Sequence, residues 1–106
     1  MNEILKVCVC DDNVALRKYV IRGISKHLEN RHDLEFFSFS DGKELLESEE
    51  DFNIIILDIE MNEINGIEVK NKLMTSSAII IFLTGHSEYI KEGFGVNVLG
   101  FVEKKN

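Results

Sequence analysis

Two short, continuous apolar runs constrain the fold of this chain more than any other feature of its sequence. Residues 54–57 read Ile-Ile-Ile-Leu, and residues 78–83 repeat the pattern with Ala-Ile-Ile-Ile-Phe-Leu. Unbroken apolar runs of this length are typical of strands buried on both faces, as in a parallel sheet covered by helices. The sequence therefore predicts an α/β fold.

Strand and helix patterns alternate along the rest of the chain. Further strands are predicted over residues 5–10, 34–39 and 98–102. Apolar residues at four-residue steps predict a first helix from residues 11–13 to about Asn30: Leu16, Val20, Ile24 and Leu28. Other helices are predicted after Asp41, after Gly66 and, weakly, over residues 87–95. This order favours right-handed crossovers and three layers.

Length and composition bound the function of the chain. Its 106 residues fit one domain, residues 1–106, and the net charge of -7 argues against a nucleic-acid-binding surface, which needs clustered Lys and Arg. No apolar run is long enough to span a bilayer and no secretory signal is recognisable, so we expect a cytoplasmic protein with no membrane contact. Cys8 and Cys10 are interpreted as reduced, buried side chains that point to opposite faces of the first strand and cannot bridge each other.

Polar residues stand where four of the predicted strands end. Asp11 and Asp12 follow the first strand, Asp58 the third, Thr84 the fourth and Lys104 the fifth. Because the carboxyl ends of parallel strands meet at one edge, these side chains are expected to share a pocket. Three carboxylates repel one another unless a cation neutralises them, and hard oxygen ligands favour Mg²⁺.

A carboxylate held beside Mg²⁺ is a competent nucleophile toward phosphorus. Phosphoryl transfer then needs mainly positioning and charge neutralisation. In such a site Lys104 could pair with one phosphoryl oxygen, and the Thr84 hydroxyl could donate a hydrogen bond to another. Each residue type in the predicted pocket therefore has a chemical task.

Four motifs together resemble the receiver domains of bacterial two-component response regulators over essentially the whole chain. They are Val9-Cys10-Asp11-Asp12, Leu57-Asp58-Ile59-Glu60-Met61 with Gly66 following, Phe82-Leu83-Thr84-Gly85, and Phe101 three residues before Lys104. The segments after Asp58, Gly66 and Thr84 most resemble receivers that precede LytTR-type DNA-binding domains. The resemblance implies a flavodoxin-like (CheY-like) three-layer sandwich with strand order 2-1-3-4-5, and a final helix that this chain does not contain.

The resemblance also assigns roles to single residues. It implies that Asp58 is the phosphoacceptor and that Mg²⁺ is held by Asp12, Asp58 and the backbone carbonyl of Glu60, with Asp11 acting through a metal-bound water. Thr84 and Phe101 would form a switch pair whose output is a population shift over the fourth helix and fifth strand.

The implied partners follow from those roles. The resemblance implies a histidine kinase or phosphotransfer protein as phosphodonor, a possible homodimer through the fourth-helix and fifth-strand face, and a DNA-binding output domain outside this chain. The domain would be no enzyme beyond catalysing its own phosphorylation and dephosphorylation. We therefore expect a Mg²⁺-dependent phosphorelay switch.

The chain departs from the family pattern at two positions. Asn62 stands where the family usually has proline after the metal-site methionine, which removes no ligand. Lys105 stands where the family has proline after the pocket lysine, commonly across a cis bond. A cis bond before a non-proline residue costs about 2.5–4 kcal/mol, which favours a trans bond between Lys104 and Lys105 and so bears on where Lys104 is placed.

Simpler interpretations exist for the same residues. Asp11 and Asp12 could cap a helix, Thr84 could do the same, Lys104 could be solvated, and Phe101 could belong to the core. His86 has no second His or Cys placed to join it and is interpreted as a surface residue. Two rival functions remain: a receiver-like interaction module that works without phosphorylation, and a flavodoxin-like nucleotide or flavin binder. The second lacks a Gly-rich or Ser/Thr-rich phosphate loop after the first strand.

Overall fold

Five parallel strands form the centre of the protein. A computed structural model describes residues 4–31, 33–61, 64–73, 77–85 and 98–104, without the side chain of Phe101. The strands are β1 (Leu5–Cys10), β2 (Leu34–Phe39), β3 (Ile54–Asp58), β4 (Ile79–Thr84) and β5 (Val98–Glu103), and the described helices are α1 (Val14–His27), α2 (Gly42–Glu47) and α3 (Gly66–Lys72). The sheet order is β2-β1-β3-β4-β5, which confirms the predicted α/β class and strand order.

The helices begin where short polar side chains cap them. The Asn13 side chain accepts a hydrogen bond from the Leu16 amide (3.1 Å), and the Asp41 side chain accepts one from the Glu44 amide (2.8 Å). These caps satisfy amide groups that have no partner within the helix. Helix α1 ends at His27 rather than near Asn30. The predicted helix over residues 87–95 lies outside the described residues.

The sheet has an apolar layer on each face. On the face covered by α2 and α3, the buried cluster includes Cys8, Cys10, Ile55, Leu57, Ile80 and Phe82; on the α1 face it consists of Val7, Val9, Ile56 and Leu83. Strand β3 contributes to both layers because its side chains alternate: Ile55 and Leu57 belong to the first cluster and Ile56 to the second. The doubly buried strand predicted from the first apolar run is thus confirmed at β3. Strand β4 is buried on the face under α2 and α3, but on the α1 face Ile79 is 44% exposed and Ile81 is only partly buried.

Cys8 and Cys10 are both buried and free, as predicted. The prediction that they point to opposite faces is wrong, because both belong to the layer under α2 and α3. Alternation along a strand returns every second side chain to the same face. Burial raises the pKa of the Cys10 thiol to about 12 and raises that of Cys8 further, so both thiols stay protonated and unreactive.

Strand register brings the predicted site residues to one edge. Cys10 pairs with Leu57, Asp58 pairs with Leu83, and Thr84 pairs with Glu103. The predicted site residues therefore lie side by side at the carboxyl ends of the strands: Asp11 directly after β1, Asp58 at the end of β3, Thr84 at the end of β4 and Lys104 directly after β5. Within the described part of the chain, no helix is long and apolar enough to cross a membrane.

Candidate functional site

Asp11 is the most tightly held residue of the site. It is fully buried, and its backbone N–H donates to the carbonyl of Phe39 in β2 (3.1 Å). Its Oδ1 accepts the Asn13 amide (2.8 Å), and its Oδ2 lies 2.9 Å from the Lys104 ammonium. The turn between β1 and α1 therefore fixes the Asp11 carboxylate toward the neighbouring strand ends.

Asp58 lies at the end of β3 and is only 2% exposed. Its Oδ1 lies 3.0 Å from Lys104 Nζ and accepts a hydrogen bond from the Glu60 amide (3.3 Å). Lys104 thus bridges the carboxylates of Asp11 and Asp58. The backbone explains its placement: the Lys104 amide donates to the Thr84 carbonyl (2.7 Å), which extends the pairing of β4 with β5 up to the site.

The site carries more negative than positive charge. Burial raises the pKa of Asp58 to about 6; the hydrogen bond from Lys104 opposes this shift, and the charges of Asp11 and Asp12 add to it. Burial alone would lower the pKa of Lys104, but the hydrogen bonds to Asp11 and Asp58 outweigh it and the pKa is raised. Lys104 is therefore charged at neutral pH and balances only part of the charge of three carboxylates.

The donor set fits a hard divalent cation. Asp11, Asp12 and Asp58 each place one carboxylate oxygen so that all three atoms lie within 4.8 Å of one another. Asp12 is solvent-exposed whereas Asp11 and Asp58 are buried. One open side and carboxylate oxygens are what Mg²⁺ needs, since it retains several waters when bound.

Gly66 closes the floor of the site. A Cβ at this position would overlap the backbone carbonyl oxygen of Asp58 and lie 2.8 Å from the Ile59 Cα, and the Gly66 amide donates to the Ile59 carbonyl (2.7 Å). Only glycine allows α3 to begin so close to the end of β3. The first turn of α3 therefore presses directly against the backbone that carries Asp58.

The structure places the other predicted residues with varying detail. Thr84 ends β4, is 2% exposed and carries the carbonyl that anchors Lys104. Glu60 is exposed and directs its amide to Asp58. The Phe101 backbone lies in β5, opposite Phe82. Other parts of the prediction lie outside the described residues: the Phe101 side chain, His86, Asn62, Lys105 and the fourth helix.

Sequence reasoning missed Arg17, which also contacts the site. Its Nη1 donates to the backbone carbonyl of Asp11 (2.6 Å), six residues earlier in the chain. A single basic residue on an otherwise charged helix face gives no signal of this contact. What could have indicated it is the position of Arg17 in the first turn of α1, within reach of the loop that the helix follows.

Comparison with known proteins agrees with this geometry. Residues 7–106 match the response regulator receiver domain family. The chain is 32% identical over 110 residues to the sensory transduction protein LytT of Bacillus cereus, and 31% identical over 104 residues to the positive alginate biosynthesis regulatory protein of Pseudomonas aeruginosa. Each alignment covers 94% of this chain but 41% of the relative, so the chain spans less than half the length of these relatives.

Solved structures show the same fold. The response regulator protein TrrA of Thermotoga maritima in complex with Mg²⁺-BeF has a TM-score of 0.81 at 25% identity, over 96% of this chain and 88% of that one. The chemotaxis response regulator CheY4 of Vibrio cholerae has a TM-score of 0.79 at 26% identity, over 95% and 87%. With LytT among its relatives, the chain is similar to receivers that precede LytTR-type domains. This chain therefore belongs to the response regulator receiver domain family, which acts in two-component phosphorelay signalling.

Proposed function

We propose that this domain accepts a phosphoryl group on Asp58 in a Mg²⁺-dependent reaction. The observation that carries the proposal is the position of the Asp58 carboxylate: buried at the end of β3, 3.0 Å from Lys104, and within 4.8 Å of carboxylate oxygens of Asp11 and Asp12. Burying a carboxylate beside two other carboxylates destabilises the fold. Its presence here therefore favours a functional role. TrrA, which has the same fold and is 25% identical in sequence to this chain, was crystallised in complex with Mg²⁺-BeF.

The metal would be held by the acidic residues of this edge. Receiver domains bind Mg²⁺ through an acidic pocket, and the cluster here supplies three carboxylates. We assign Asp12, Asp58 and the backbone carbonyl of Glu60 as direct ligands, with Asp11 acting through a bound water. When present, Mg²⁺ neutralises phosphoryl oxygens and so lowers the barrier to their approach to the carboxylate.

The reaction is a displacement at phosphorus. An oxygen of ionised Asp58 forms a new O–P bond while the bond from phosphorus to the donor breaks, and the donor leaves with the bonding electron pair. With its pKa near 6, Asp58 is mostly ionised at pH 7 and needs no separate base. Lys104 would shift from its two carboxylates toward the phosphoryl group, where its charge stabilises the transferring oxygens.

The signal would leave the site through β4 and β5. Thr84 stands at the end of β4, and its carbonyl is bonded to the Lys104 amide. In the proposed product the Thr84 hydroxyl donates a hydrogen bond to the phosphoryl group, and Phe101 rearranges with it. Both residues belong to adjacent strands in register, so a shift of one biases the other.

The partners follow from this chemistry. The phosphodonor is a histidine kinase or phosphotransfer protein, and the output is a DNA-binding domain of the LytTR type. Homodimerisation through the fourth-helix and fifth-strand face would couple phosphorylation to output. The support for an output domain is the similarity to LytT, of whose length this chain covers 41%.

Acetyl phosphate tests the proposal directly. The protein is incubated with acetyl phosphate and Mg²⁺, and the mass of the intact chain is measured. We expect one added phosphoryl group on the wild type, none on Asp58→Ala, and none on the wild type when EDTA removes the metal. Asp51→Ala is the matched control, because it removes an exposed carboxylate that precedes β3 at its opposite end.

Two outcomes would contradict the proposal. Equal labelling of the wild type and Asp58→Ala would mean that phosphorylation occurs elsewhere. No labelling of the wild type, under conditions in which an established receiver is labelled, would favour the interaction module that works without phosphorylation.

A further inference from the structure

Arg17 holds the turn that carries the first two carboxylates. Its Nη1 donates to the Asp11 carbonyl at 2.6 Å, a short hydrogen bond from a charged donor. The backbone of Arg17 is fixed in turn, because its amide donates to the Asn13 carbonyl (3.1 Å) in the first turn of α1. The guanidinium therefore ties the start of α1 back to the end of β1.

The bonded carbonyl belongs to the peptide that joins Asp11 to Asp12. A peptide unit is planar, so fixing the direction of this carbonyl also fixes the direction in which the Asp12 Cα leaves the strand. The other polar atoms of Asp11 are directed elsewhere: its amide donates to the Phe39 carbonyl, its Oδ1 accepts the Asn13 amide, and its Oδ2 makes an ion pair with Lys104 without a well-aligned hydrogen bond. Only Arg17 restrains the Asp11–Asp12 peptide itself among the contacts that the described residues make.

One nitrogen of the Arg17 guanidinium is buried without a hydrogen bond to a described residue. Arg17 Nε is shielded from solvent and has no hydrogen-bond partner among the residues that the structure describes. A buried donor without a partner destabilises the fold. Among the described residues, the Asp11 carbonyl is the group to which the Arg17 side chain donates.

We propose that Arg17 is a positioning residue for the metal site, acting through the Asp11–Asp12 peptide on the carboxylate of Asp12. The inference rests on the proposed function, in which Asp12 is a direct Mg²⁺ ligand. Arg17 itself touches neither the metal nor the phosphoryl group. Its positive charge repels a cation, so the positioning effect and the charge effect on Mg²⁺ affinity have opposite signs.

Calorimetric titration with Mg²⁺ tests the role in four proteins: wild type, Arg17→Met, Arg17→Gln and Arg17→Lys. Met has no donor and the Gln amide lies two bonds short of the Arg Nη1 position, so we expect each to weaken Mg²⁺ binding, by at most the roughly 10- to 100-fold that is typical when a direct hydrogen-bond partner of a metal ligand is lost. Lys keeps a donor on a long side chain, so we expect it to recover most of the affinity. Arg22→Met is the matched control, since it removes the same charge from an exposed position on α1 and should leave affinity equal or slightly higher.

Urea unfolding of each variant separates a local effect from loss of the fold. If Arg17→Met does not fold, Arg17→Gln decides the question with a polar side chain. Unchanged or tighter Mg²⁺ binding by a folded Arg17→Met or Arg17→Gln overturns the inference, as does equal weakening by Arg17→Lys and Arg17→Met. Absence of Mg²⁺ binding by the wild type would instead overturn the proposed function.

Discussion

Asp58 connects the protonation of one carboxylate to the stability of the whole domain. Its pKa rises from an ordinary 3.8 to about 6, first because of burial and then because of Asp11 and Asp12, while Lys104 acts in the opposite direction. The folded protein thus binds a proton at Asp58 more readily than the unfolded chain does. The stability that this group contributes is fully present below about pH 4 and is lost as the pH rises through about 6.

Asp58→Asn should therefore stabilise the metal-free protein at neutral pH. A shift of one pKa unit corresponds to about 1.4 kcal/mol, so we expect a gain in the free energy of unfolding on the order of 2 kcal/mol at pH 7 that vanishes near pH 4. Urea unfolding from pH 4 to 7 in metal-free buffer measures it. Asp51→Asn, at an exposed position, serves as control, and parallel stability profiles for Asp58→Asn and wild type would contradict the raised pKa.

Lys104 competes with a bound cation for the same oxygens. Its ammonium lies 2.9 Å from Asp11 and 3.0 Å from Asp58, so a metal must displace it or share its ligands. We expect Lys104→Met to bind Mg²⁺ about five- to tenfold more tightly, which corresponds to roughly 1 kcal/mol, yet to be phosphorylated more slowly by acetyl phosphate. Calorimetry and intact mass measure the two effects.

Lys26→Met controls for the loss of one charge, because Lys26 is exposed in the last turn of α1, roughly 18 Å along the helix from its start. Slower phosphorylation combined with weaker Mg²⁺ binding by Lys104→Met would show that Lys104 organises the site instead of competing for it.

At the scale of elements, the contact between β3 and α3 depends on Gly66. A methyl group there would overlap backbone atoms of Asp58 and Ile59, which cannot move without shifting the site. We expect Gly66→Ala to lower the free energy of unfolding by roughly 1–3 kcal/mol and to weaken Mg²⁺ binding. Chemical unfolding and calorimetry of the same samples measure both.

Gly23→Ala is the matched control, because a Cβ at this position in α1 meets nothing within 4 Å. Alanine in a helix interior is favoured over glycine by roughly 0.5–1 kcal/mol, so this variant should be more stable than the wild type with the same Mg²⁺ affinity. Equal stability of the Gly66 and Gly23 variants would mean that the start of α3 can move away from β3.

Elements with strong patterns could be predicted from the sequence, whereas single contacts could not. The apolar runs identified β3 and β4, since a doubly buried strand requires apolar side chains on both faces, and parallel order then placed Asp11 beside Asp58. The Lys104 bridge rested on spacing from Phe101; what locates it is a backbone bond to Thr84. The contact from Arg17 to the Asp11 carbonyl left no pattern at all, because it joins a side chain to a main-chain group that every residue has.

On the scale of the whole molecule, the two faces of the sheet are covered unequally. Ile79 and Val102 are 44% and 51% exposed, although β4 and β5 pair them with residues of the α1 layer, Ile54 and Leu83. Ile81 of the same face is only partly buried. Among the described residues, helix α1 therefore covers only part of this face. Beside it remains an apolar strip formed by Ile79, Ile81 and Val102.

This strip should make the 106-residue chain self-associate as its concentration rises. The net charge of -7 opposes association, so the effect should strengthen when salt screens that charge. We expect sedimentation to give an average mass that increases with protein concentration, and Val102→Asp to reduce the increase by placing a charge in the strip. Ile4→Asp adds the same charge at another exposed apolar residue, before β1, and should change it little. Equal reduction by both variants would mean that net charge alone, and no particular face, controls association.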